Sequence, residues 1–126
     1  MNAEHTLVLY VIDEATDEVA AAVREAARLA AQLQLWQGPA PSGFDATPEG
    51  SPRTVGIGLR FEQPFPVADR PGVVRVFDLC EAASRELGVC FEVQLDGAPL
   101  GLLAPEGLQP WVGVTLRETL GLAASA

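Results

Sequence analysis

Two stretches of this chain alternate strictly between apolar residues and others. In Thr54–Glu62, "TVGIGLRFE", Val55, Ile57, Leu59 and Phe61 take one set of positions, and Gly56, Gly58, Arg60 and Glu62 the other. In Val89–Leu95, the apolar Val89, Phe91, Val93 and Leu95 alternate with Cys90, Glu92 and Gln94. A period of two belongs to a β-strand with one face on a core and the other uncovered. A sheet of such strands takes its helices on one side, which predicts a two-layer α+β sandwich. Glycine weakens a strand, so a pair of glycines one pleat apart marks a face kept bare for close approach. The protein's own long loop or a partner could supply what comes near.

The remaining elements follow from local signals. "HTLVLYVID" is apolar on both faces and is expected to be a central strand. Thr16 suits a helix N-cap, with Asp17 and Glu18 in the first turn, where the helix dipole favours acids. Val19, Val23, Ala26, Ala27, Ala30 and Leu33 form the apolar stripe, and its alanines predict close packing on the sheet. Asp69 is expected to cap a second helix from about Pro71 to Leu87, ended by Gly88. Asp96-Gly97 reads as a two-residue type I′ turn, with Leu100 and Leu102 carrying the apolar face along the return strand. Pro99 has no N–H to donate and places that strand at an edge. A third helix is expected from Pro110, with Val112, Leu116 and Leu120 inward, and a strand over "WVGVTLR" is its competitor. Residues 37–53 hold four prolines and three glycines and are expected to form a long loop without regular structure. The resulting order is β-α-β-α-β-β-α in one domain spanning residues 1–126, with no internal repeat. Its long crossovers predict some parallel pairing and hence a mixed sheet with helices mainly on one face.

Charge narrows the function. Seventeen acids face eight bases among 126 residues, for a net charge of −9. All eight bases are arginine. Nucleic acids and anionic membranes are therefore unexpected partners. The lack of lysine removes Schiff-base chemistry and a P-loop lysine. The longest apolar run, Leu7–Ile12, is six residues, against about 20 needed to span a bilayer. No basic patch precedes an apolar region at the N-terminus, so no signal peptide and a cytoplasmic location are expected. Cys80 and Cys90 read as free thiols, although spacing alone leaves a bridge between them open. His5, the single histidine, is expected to face solvent. It is too isolated for a Ser-His-Asp site or for zinc. Asp13, Glu14, Asp17 and Glu18 read as dipole partners of a helix rather than as a Mg²⁺ or Ca²⁺ site. "GIGLRF" lacks the third glycine of a dinucleotide fingerprint. No cofactor, metal or catalytic residue is expected.

What remains is a surface. Gly56, Gly58, Arg60 and Glu62, with Glu92 and Gln94, are expected on the uncovered face, and Phe44 and Trp36 are candidate aromatic anchors beside it. The reading favoured is a non-catalytic protein-binding module with a basic protein partner drawn in by the acidic surface. In size, charge and class the chain resembles bacterial immunity proteins, which neutralise basic toxins. The alternative is a small-molecule-binding or regulatory domain, since the βαβ openings resemble ferredoxin-like sensory modules. There the open face or a homodimer interface would hold the ligand. A cofactor-free enzyme using acids or Arg60 is the least favoured class.

Overall fold

A computed structural model describes residues 4–47, 49–62 and 65–120. The first strand, β1 (Glu4–Val11), leads into α1 (Asp17–Gln32). There Thr16 Oγ1 accepts the Val19 N–H at 3.2 Å and fixes the helix start. The chain continues through β2 (Ser42–Ala46), β3 (Thr54–Glu62) and α2 (Arg70–Leu87). β4 (Phe91–Leu95), β5 (Ala98–Ala104), the two-residue β6 (Gly107–Leu108) and α3 (Pro110–Leu120) complete it. The strands lie in the order β2-β3-β1-β4-β5-β6, so β1 is central as expected. Leu7, Leu9, Val55, Ile57, Leu59, Phe61, Phe91, Val93 and Leu103 point into a single core with the buried residues of all three helices. The molecule is the two-layer α+β sandwich that the strand alternation predicts.

The sheet is not mixed. Every pairing is antiparallel. The crossovers are long enough for parallel neighbours, but each skips a strand. β1 and β2 run the same way with β3 inserted between them, and β3 and β4 do so with β1 between. This is the split βαβ connectivity of ferredoxin-like domains, extended here by β5, β6 and α3.

Residues 37–53 also differ from expectation, because β2 lies within them. Its side toward the helices carries Gly43 and Asp45, and a Cβ on Gly43 would come within 3.1 Å of the Ala27 Cβ. The alanine stripe of α1 therefore seats directly on the strand's glycine. Arg53 locks the segment from below. Its guanidinium makes paired hydrogen bonds of 2.8 and 2.7 Å to the Asp45 carboxylate and a third of 2.7 Å to Asp17.

Asp69 stands at the N-cap position of α2, but its side chain makes no capping hydrogen bond. Its carboxylate, only 2% exposed, accepts the Gln37 and Gly38 N–H groups at 2.8 Å each and ties down the loop after α1. Gly88 ends α2 with φ 68°, the left-handed value that glycine adopts without strain. In the hairpin, Asp96 and Gly97 have φ 53° and 82°, as a type I′ turn requires. A bulge between Val93 and Gln94 leaves Leu100 without a partner and pairs Phe91 with Leu103. Leu103 is thus the fully buried residue of the return strand, and Leu102 turns to the other face beside Glu92. Pro99 lies in the part of β5 that β6 does not cover, an edge position as expected. α3 starts at Pro110 and buries Val112, Leu116 and Leu120.

Candidate functional site

The register places the second face of the sheet in rows. Phe44, Gly56, Tyr10, Glu92 and Leu102 form one row across β2, β3, β1, β4 and β5. Ser42, Gly58, Val8, Gln94 and Pro99 form the next. Arg60 and Thr6 begin a third. The helices pack on the opposite side, so these side chains compose the uncovered face.

The two glycines have different roles. A Cβ on Gly56 would lie 2.3 Å from the Leu9 carbonyl oxygen and 2.6 Å from the Phe44 ring, so Gly56 is bare to let β1 and Phe44 close over it. At Gly58, no atom of the described residues comes within 4 Å of such a Cβ. The space above it belongs to a concavity of about 250 Å³ bordered by Thr6, Val8, Ser42, Phe44 and Arg60. The protein's own 37–53 segment therefore accounts for Gly56 and leaves Gly58 open.

A polar ridge lies on β1 and β4 next to Val8, which pairs with Gln94. The Tyr10 hydroxyl donates a hydrogen bond to the Glu92 carboxylate, and Gln94 Nε2 donates to the same oxygen at 2.9 Å. Hydrogen bonding to Glu92, then desolvation, then the nearby negative charge raise the Tyr10 pKa, because ionisation would lose the donor and set two anions together. The ridge presents an oriented carboxylate, not a free base. Arg60 and Glu92 share the face, but their rows lie four residues apart along β1, about 13 Å at strand rise. They form no acid–base pair.

Trp36, Glu62 and His5 do not line the concavity over Gly58. Trp36 is in the helical layer, where its indole N–H donates to the Ala30 carbonyl at 3.1 Å and its ring fills the space left by Gly72. It packs the end of α1 and does not join Phe44. Glu62 is on the uncovered face as expected, but in a further row at the end of β3, directly opposite Glu4. His5 is partly exposed, with 26% of its side chain open, but it is not free in solvent. Its ring stacks on Phe61 at 5.4 Å, and its Nδ1 is 2.7 Å from the Asp96 carboxylate, which also accepts the Thr6 N–H. This contact fastens the hairpin tip to the start of β1.

Leu102, expected on the apolar face with Leu100, lies on the uncovered face, together with Val8 and Tyr10, for which the alternation singled out no face. Val8 and Tyr10 belong to a strand apolar on both sides, a pattern equally consistent with burial under a second layer. The signal that could have singled one out is that Tyr10 is the sole tyrosine, with a hydroxyl that needs a partner. Cys80 and Cys90 are free thiols, and burial pushes the Cys80 thiol up to about 12. Among the described residues, no group of three His, Cys, Asp or Glu side chains is placed to hold a metal ion. No described helix is long and apolar enough to cross a membrane. Comparison with known proteins finds no family model that matches this chain, and no curated protein or solved structure that matches it.

Proposed function

We propose that the chain is a non-catalytic protein-binding module whose contact surface is the uncovered face of β2, β3, β1 and β4. The observation that carries this reading is the open concavity over Gly58, bordered by Val8 and Phe44, with the Tyr10–Glu92–Gln94 ridge on the same face next to Val8. Half-buried apolar side chains around a bare backbone, with oriented polar groups at the margin, suit an anchor residue from another protein. The partner is a basic protein. A net charge of −9 would speed its approach, and the Glu92 carboxylate could accept a cationic donor at the contact. Within this class, an immunity-type inhibitor of a basic bacterial toxin is the specific form proposed, acting in the cytoplasm.

The test is affinity capture from the native host with wild-type protein and with Gly58→Val, followed by binding measurements on the recovered protein. One basic protein held by the wild type and at least about tenfold more weakly by Gly58→Val supports the reading. Equal binding to both removes it. The ferredoxin-like connectivity and a second cavity, which adjoins the first at Arg60, favour the alternative of a small-molecule site.

A further inference from the structure

β2 pairs with β3 only over Thr54–Gly58, whereas β1 accompanies β3 as far as Glu62. Among the described residues, the outer edge of Leu59–Glu62 therefore carries no strand. The segment that would continue β2 backwards contains Pro39 and Pro41, neither of which has an N–H for a ladder. A cavity of about 250 Å³ opens along this edge. Pro39, Phe65 and Pro66 supply apolar wall, and Glu4, Arg60 and Glu62 supply charge.

The charges are unusual in two ways. Glu4 and Glu62 stand directly opposite one another across β1 and β3, a like-charge pair that destabilises a sheet unless a cation lies between. Among the described residues, none of Glu4, Arg60 and Glu62 forms an ion pair. The buried Asp69 also borders the cavity, but each of its carboxylate oxygens is already bound by a loop N–H, from Gln37 and Gly38, which holds it toward that loop. One guanidinium and two carboxylates thus border an apolar recess and an unpaired backbone edge. A ligand matching all of these features has a carboxylate, an ammonium group and an apolar side chain on one small frame. The volume falls below the roughly 300–1,000 Å³ of pockets for drug-sized molecules, so the frame is small.

We propose that this cavity binds a free α-amino acid with an apolar side chain. Its carboxylate pairs with Arg60, its ammonium group sits between Glu4 and Glu62, and its side chain lies against Phe65 and Pro66. The two cavities share Pro39, Leu59 and Arg60, and Glu62 borders only this one, so Glu62→Gln separates the proposal from partner capture over Gly58.

Calorimetric titration of the full chain with L-leucine, L-methionine and L-phenylalanine tests it, with N-acetyl-L-leucine and L-leucinamide as controls. The expected result is saturable binding of at least one free amino acid. For leucine, loss of either charge weakens binding by at least about tenfold. Arg60→Gln and Glu62→Gln change exposed side chains, so both variants should fold, and each is expected to weaken binding by a similar factor. No binding of any of the three amino acids at millimolar concentration overturns the proposal. So does equal binding of N-acetyl-L-leucine, or affinity unchanged in Arg60→Gln.

Discussion

Gly56 and Gly58 are one pleat apart on the same strand face, yet a side chain meets a carbonyl oxygen and a ring at one and nothing at the other. Gly56→Ala is expected to cost about 1–3 kcal/mol, the range for forcing atoms into a packed site, as measured by denaturant unfolding. Gly58→Val is expected to change stability by less than about 1 kcal/mol, because a β-branched residue there meets only space. Equal losses would show that Gly58 is covered as well. Tyr10 offers an independent check, since the chain contains no other tyrosine and phenolate absorbance reports on it alone. Its titration midpoint should lie above the ordinary tyrosine value and fall toward it in Glu92→Gln. With the folded pKa raised, the hydrogen bond's contribution is complete below the ordinary tyrosine range and is lost as pH climbs through the raised value. Cys80, with its thiol pushed up to about 12 by burial, should resist thiol reagents until the chain unfolds, while the less buried Cys90 reacts first.

Individual elements differed in how plainly the sequence announced them. α1 carried a cap, first-turn acids and a complete apolar stripe, all legible because each acts within one or two turns. The hairpin was legible in Asp96-Gly97, but the bulge at Leu100 was not, because it is set by how α3 seats on the sheet. A Cβ on Gly101 would lie 2.5 Å from Val112 Cγ2, and the Trp111 indole donates to the Leu100 carbonyl. β2 left no periodic trace, since Gly43 and Asp45 face a helix of alanines and no large apolar residue was needed on that side. It is held instead by Arg53. Hydrogen bonding to Arg53 lowers the Asp45 pKa, and that to His5 and the Thr6 N–H lowers the Asp96 pKa. Both contributions are therefore present above the ordinary aspartate range and lost as pH falls through the depressed values. Arg53→Ala should reduce amide-exchange protection in Ser42–Ala46 while α2 and β4 stay protected. Uniform loss of protection would contradict a local clamp.

At the scale of the whole molecule, alternation in two strands was enough to specify one covered face and one open one. It could not reveal that both crossovers skip a strand, because strand order depends on non-local contacts that no local pattern encodes. The same limit applied to the site. Gly56, Gly58, Arg60, Glu62, Glu92 and Gln94 were readable as face residues from their period, whereas Val8 and Tyr10 were not, and Phe44 was readable only as an aromatic anchor in a loop. Trp36 was drawn instead to Gly72 on the helix side. Partner binding through an acidic protein surface should weaken as ionic strength rises, chiefly through slower association. The most direct measurement is the affinity of the captured basic partner for wild type, Phe44→Ala, Gly58→Val and Trp36→Phe, each first shown to be folded. An open-face contact predicts losses of at least about tenfold for the first two variants and near wild-type affinity for Trp36→Phe. Full affinity in both Phe44→Ala and Gly58→Val, or loss confined to Trp36→Phe, would contradict it.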